Sequence, residues 1–128
     1  IGGGTCQVST TLYNAILKAN LEIVERTNHS MTVGYAPFGQ DATVADSGID
    51  LKFKNNTPYP IKLQTETPPG KVVAKVIGTK VNPDEEVTIV TTSTGALSAV
   101  TTRIVKNVVT GEQIKSEEVA RSRYSPKS

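Results

Sequence analysis

Helical periodicity occurs once in this chain, and that limits what it can fold into more than any other feature. Over residues 5–20, TCQVSTTLYNAILKAN, the apolar residues Val8, Leu12, Ala15, Ile16 and Ala19 recur at i, i+4, i+7, i+8 and i+11. This is the spacing of one buried stripe on a 3.6-residue period, so it predicts a helix with a partner to pack against. Thr5 offers an N-cap hydroxyl and Asn20 a C-terminal stop, while the glycines before Thr5 set the left boundary. Cys6 then falls in the first turn. Beyond Asn20, residues 21–26, 31–35, 42–44, 51–54, 60–65 and 71–77 read as short strands. They are punctuated by Pro37, Gly39, Ser47-Gly48, Asn55-Asn56 and Pro68-Pro69-Gly70. The segments IKLQTE and KVVAKVIG, joined around Thr67-Pro68-Pro69-Gly70, predict a β-hairpin. One helix among many short strands implies an α+β fold: an N-terminal helix packed on a mostly antiparallel β-sheet.

Composition changes after Thr79. From Val81 the chain is rich in Val, Thr and Ser, with two strands expected on either side of Val109-Thr110-Gly111-Glu112. A few strands with so few aromatic residues bury too little surface to stand alone. The expected organisation is therefore a domain over residues 1–80 and a C-terminal β-ribbon extension over 81–128. This ribbon is expected to project from the body or pair with a second copy, ending in a frayed basic tail over 121–128.

A length of 128 residues suits one domain rather than two. No stretch approaches the roughly 18 apolar residues of a membrane span. Cys6 is the single cysteine and His29 the single histidine, so an internal disulfide and a thiolate zinc site are excluded and no metal or cofactor is expected. The 14 basic and 12 acidic residues leave a formal charge of +2, too balanced to point to nucleic acid. The excess of bases lies toward the C-terminus, which reads first as solvated strand faces and, more sharply, as weak attraction to an anionic polymer. The opening Ile1-Gly2-Gly3-Gly4 carries neither an initiator Met nor a targeting segment, and reads as a piece of a longer protein.

Chemistry concentrates at the helix start. Gly2, Gly3 and Gly4 permit close approach of backbone to a ligand, and a helix N-terminus favours negative charge. A thiol at Cys6 would ionise more easily there, and free N–H groups could hold an oxyanion. His29 and Asp41, each placed at a strand entry, complete an ordered nucleophile, base and orienting carboxylate. The opposing reading is a buried structural cysteine with a loop histidine. Asp46 and Asp50 compete with Asp41 for the third place, and Asn55-Asn56-Thr57-Pro58-Tyr59-Pro60 reads as a rigid connector.

The motifs Gly2-Gly3-Gly4-Thr5-Cys6-Gln7-Val8-Ser9-Thr10-Thr11-Leu12-Tyr13-Asn14-Ala15, Leu21-Glu22-Ile23-Val24-Glu25-Arg26 with His29-Ser30, Gly39-Gln40-Asp41-Ala42-Thr43-Val44, Asp50-Leu51 and Asn55-Asn56-Thr57-Pro58-Tyr59-Pro60-Ile61 together resemble the VanW family over roughly residues 1–78. That family takes its name from an accessory protein encoded with vancomycin resistance, and its members are typically extracytoplasmic or membrane-anchored proteins of Gram-positive bacteria. The resemblance implies a cell-envelope setting, with peptidoglycan or an anionic wall polymer as partner, rather than a particular reaction. It also implies a further segment upstream of the glycines. The strands from about Glu86 resemble the wall-associated repeat called G-five.

Two functions stay open. In one, Gly2, Gly3, Gly4, Thr5, Gln7 and Ser9 bind a carboxylate or phosphate of the wall without turnover. In the other, Cys6, His29 and Asp41 form a cysteine-dependent peptidase or transpeptidase. Self-association through the C-terminal ribbon is a third expectation.

Overall fold

The structure is a computed structural model that describes residues 2–45 and 48–126, with side chains from Cys6 onward. Helix α1 spans Gly2–Lys18, followed by β1 (Glu22–Glu25), β2 (Lys52–Lys54), β3 (Ile61–Glu66), β4 (Val73–Gly78), β5 (Glu85–Gly95), β6 (Ser98–Asn107) and β7 (Gln113–Arg123). Every strand pair is antiparallel, and the class is α+β. The strands form three sheets rather than the one expected: β1-β2, β3-β4 and β5-β6-β7. The expected hairpin is β3-β4, in register from Ile61↔Gly78 to Glu66↔Val73.

The helix begins at Gly2, not at Thr5, so Cys6 lies beyond the first turn. Its end follows the sequence closely. Asn20 adopts φ 63°, Asn20 N–H donates to Leu17 O at 3.1 Å and Leu21 N–H to Ile16 O at 3.3 Å. This pair of bonds is the Schellman closure that an αL asparagine permits. The buried stripe is rotated from the predicted one: Cys6, Ser9, Thr10, Tyr13, Ile16 and Leu17 are buried, while Val8, Leu12, Ala15 and Ala19 are only half-buried.

Ser9 and Thr10 explain that rotation. Their hydroxyls donate to Ala42 O at 2.6 and 3.0 Å, and Thr10 Oγ1 accepts from Ala42 N at 3.0 Å. Helix side chains thus satisfy both peptide groups of Ala42, which replaces the strand predicted over 42–44. Residues 31–35 likewise form turns and no strand. The long connection between β1 and β2 is held by these side chains together with backbone bonds such as Thr43 N–H to Thr27 O at 2.8 Å.

Tyr13, Leu17 and Ala42 form the buried cluster, with Ile23, Leu51, Ile89 and Val119 packed against it. Ile89 comes from β5 and Val119 from β7. Strand β6 alternates half-buried and buried residues, with Ala99, Thr101, Arg103 and Val105 inward. Arg103 donates to Leu17 O at 3.2 Å and Leu21 O at 2.8 Å and pairs with Glu117 through Nε at 2.9 Å. A cation at the end of α1 also complements the helix dipole. These contacts correct the expectation of a projecting ribbon. The expected frayed tail is corrected over 121–124, where β7 runs to Arg123 and Tyr124 is 4% exposed, while 127–128 lie outside the described residues.

Candidate functional site

Cys6 is 9% exposed, and its Sγ lies 3.3 Å from Thr43 Oγ1 and 3.6 Å from Val44 O. Donation from the Thr43 hydroxyl, with backbone contact at Val44, holds the thiol below its ordinary pKa against the burial that pushes it up. The His29 imidazole contributes a smaller lowering.

His29 is held by Asp41 at two points. Oδ2 accepts the His29 backbone N–H at 2.7 Å and lies 2.6 Å from the ring Nδ1. A carboxylate only accepts, so Nδ1 carries a proton, and in the neutral imidazole Nε2 presents its lone pair to Tyr35 OH, 3.1 Å away. The imidazole side chain is 18% exposed, whereas Asp41 is 1% exposed.

Asp41 is surrounded by donors. Tyr124 OH donates to Oδ1, and Arg26 Nη2 lies 3.6 Å from the same oxygen. Burial pushes the Asp41 carboxyl up, but the His29 amide, the Tyr124 hydroxyl, the imidazole and the Arg26 guanidinium together hold it below the usual carboxylate range. Arg26 also donates to Asp41 O at 2.7 Å, Ser122 Oγ at 2.8 Å and Gly39 O at 3.2 Å, and stacks over the Tyr13 ring at 5.3 Å.

Gly39 fixes the loop that carries Asp41. Its φ is +81°, and a Cβ there would meet Thr91 Cγ2 at 2.8 Å and Ala99 Cβ at 3.0 Å. Only glycine fits this conformation at this distance from the sheet. Its N–H donates to Tyr124 OH at 3.1 Å, and its carbonyl accepts from Thr101 Oγ1 at 3.1 Å.

Of the residues singled out in the sequence, His29 and Asp41 are bonded to each other, and Cys6 of α1 bonds Thr43 and Val44, two and three residues beyond Asp41 in the same loop. Gly2, Gly3 and Gly4 are helical rather than a ligand-clasping turn, and the side chain of Thr5 lies outside the described residues. Ser9 cannot serve a ligand as expected, because its hydroxyl is buried and donates to Cys6 O at 3.0 Å and to Ala42 O. Gln7 is half-buried, and its carbonyl accepts from Thr11 Oγ1 at 2.8 Å. Asp46 lies outside the described residues, and Asp50 spends Oδ1 on Leu51 N at 2.8 Å in its own turn. Sequence reasoning missed Arg26, Tyr35, Thr43 and Tyr124. Arg26 and Thr43 belong to the motifs quoted above and Tyr35 lies between two of them, but Tyr124 stands 83 positions from Asp41 and carries no local signal.

A cleft of about 300 Å³ opens beside Tyr35, lined by Thr10, Thr11, Asn14, Pro37 and Ala74 among others. A larger cavity of about 400 Å³ lies at the other end of α1, around Lys18, Asn20, Asn56 and Lys80. The smaller cleft includes Tyr35, the partner of His29, but also Lys18, and neither pocket is lined by Cys6, His29 or Asp41. No helix among the described residues is long and apolar enough to cross a membrane.

Comparison with known proteins agrees with the motifs. The chain is 44% identical to the protein YoaR of Bacillus subtilis (strain 168) over 73 residues, 57% of this chain and 24% of that protein. It is 31% identical to the vancomycin B-type resistance protein VanW of Enterococcus faecalis (strain ATCC 700802 / V583) over 84 residues, 62% of this chain and 30% of that protein. The chain therefore spans about a quarter to a third of the length of these relatives. No solved structure matches it. The family model described as VanW like protein matches residues 1–77, and the chain belongs to that family.

Proposed function

We propose that Cys6, His29 and Asp41 form a thiol-dependent acyl-transfer centre that acts on a peptide bond of cell-wall peptidoglycan, outside the cytoplasm. The observation that carries this reading is the bond from His29 Nδ1 to the buried Asp41 at 2.6 Å. That bond fixes the tautomer a general base needs. The depressed thiol and its hydroxyl partner Thr43 support the nucleophile role. The wall setting rests on the family and on the resistance named for its Enterococcus relative.

In the proposed reaction Nε2 takes the Cys6 proton, and the thiolate attacks the carbonyl carbon to form a tetrahedral adduct. The adduct collapses to a thioester as Nε2 returns the proton to the leaving amine. Water, or a second amine, then attacks the thioester with Nε2 as base, and the thiol is restored. Because Tyr35 holds Nε2 in the free protein, substrate entry has to displace that hydroxyl.

Incubation of the chain with defined muropeptides, followed by mass spectrometry, tests the reading. Wild type is expected to give a cleaved or exchanged product, Cys6→Ala none, and Asp41→Asn roughly 10³ to 10⁴-fold less. Equal product from wild type and Cys6→Ala refutes it.

A second reading, a wall-binding module without turnover, draws on the same Tyr35 bond, which leaves the base occupied at rest. It predicts that Cys6→Ala sediments with isolated cell wall as well as wild type does, with no muropeptide product from either.

A further inference from the structure

We propose that Tyr124 is a positioning residue of the site: by donating to Asp41 Oδ1 it turns the carboxylate so that Oδ2 is left for His29. This rests on His29 and Asp41 being the working pair of the proposed function, but it assigns a role to a residue beyond the 1–77 region matched by the family model.

The direction of the bond follows from its neighbours. Tyr124 OH accepts the Gly39 N–H at 3.1 Å, which uses a lone pair and leaves its single proton for Asp41. Gly39 N–H, Tyr124 O–H, Asp41 and His29 Nδ1–H therefore form one chain of bonds in a buried setting, where each link polarises the next. Without the phenol, Oδ1 would keep only Arg26 Nη2 at 3.6 Å, beyond hydrogen-bond length. The carboxylate would then be held through Oδ2 alone, by the His29 N–H and Nδ1.

Tyr124 is itself fixed by the C-terminal sheet. Its N–H donates to Leu97 O at 2.8 Å, and its ring lies 5.1 Å from that of Phe38, centroid to centroid. Ser122, two residues earlier on β7, accepts from Arg26, the other cation-bearing support of Asp41. The sheet thus acts as the template on which the Asp41 loop is set, and the site is a composite of the family-matched region and of β7.

The groups that face Asp41 are Arg26 and His29 from the β1 side, Tyr124 from just past the end of β7, Tyr13 from α1 and, through the imidazole, Tyr35. Tyr124 is the one of these that donates directly to Asp41 and can be altered by one oxygen atom without removing a formal charge or a group of the proposed reaction. The test is proton NMR of the full chain, following the downfield Nδ1–H resonance of His29 as pH is lowered. Its disappearance reports protonation of Asp41. In Tyr124→Phe the midpoint is expected to rise by about one pH unit, the size of one lost hydrogen bond to a charged acceptor. Site-specific 3-fluorotyrosine at position 124, a stronger donor of nearly the same shape, is expected to move it downward and keeps the test available should Tyr124→Phe fold poorly. Thr101→Val, which removes another bond to the Gly39 loop, is expected to lower stability and leave the midpoint in place. Unchanged midpoints in both Tyr124 variants overturn the positioning role. Shifted midpoints in a chain with no turnover on any muropeptide uphold it while the proposed reaction fails.

Discussion

Replacement of Arg103 by leucine probes whether the C-terminal sheet is part of the fold. Arg103 is 3% exposed, and its guanidinium serves three acceptors: Leu17 O, Leu21 O and Glu117 Oε1. In Arg103→Leu the Leu21 carbonyl loses that donor while buried, which costs about 1–3 kcal/mol. Leu17 O retains the Asn20 N–H, so it contributes less. Loss of the cation at the helix end removes roughly 1 kcal/mol more. The Glu117 pair is discounted to about 1 kcal/mol because that side chain is 33% exposed. Leucine restores roughly 1–2 kcal/mol by burying apolar surface. The net loss is about 2–3 kcal/mol, which lowers Tm by about 10 °C for a chain of this length. Far-UV circular dichroism during a thermal scan reads the helix, and urea titration reads the free energy. Arg121→Leu, which removes an exposed pair with Glu118, serves as control and is expected to leave the transition where it was. If Arg103→Leu melts within a degree or two of wild type, the sheet does not hold the helix end, and the integrated fold described above is wrong.

Gly39→Ala places a methyl against the Thr91 and Ala99 side chains in a left-handed backbone, and is expected to lose about 2–4 kcal/mol in urea titration. Retained stability would show that the Asp41 loop is not pinned on the sheet. Acid should destabilise the protein through Asp41, whose folded pKa lies below its unfolded value near 3.9. That contribution is complete above about pH 5 and is lost as pH falls through the folded value, with a smaller, solvent-screened contribution of the same sign from Glu117. The urea midpoint is expected to fall below about pH 4 in wild type and to fall less steeply in Asp41→Asn.

Local signals in the sequence were readable where local physics decides. The αL stop at Asn20, the β3-β4 hairpin around Pro68-Pro69-Gly70 and the β6-β7 connection at residues 108–112 all follow from turn chemistry. The helix start was misplaced because glycine's poor propensity is only a weak prior, which tertiary context overrides. The strand over 42–44 is absent for another reason: Ser9 and Thr10 supply the bonds that a neighbouring strand would have supplied to Ala42. The same two residues moved the buried stripe, since a hydrophobic pattern does not register hydroxyls that are buried in order to bond backbone. At the site, residue types singled out Cys6, His29 and Asp41. The supports Arg26 and Tyr124 follow from tertiary geometry, which one sequence does not display.

The central claim is that His29, held by Asp41, sets the reactivity of Cys6. The pH dependence of Cys6 alkylation by iodoacetamide tests it most directly, because Cys6 is the single thiol and no substrate need be known. Wild type is expected to alkylate with an apparent pKa below the value of about 8.5 for free cysteine, and His29→Gln to move it back upward. A profile that is the same in both, or that lies at or above free cysteine in wild type, contradicts the account.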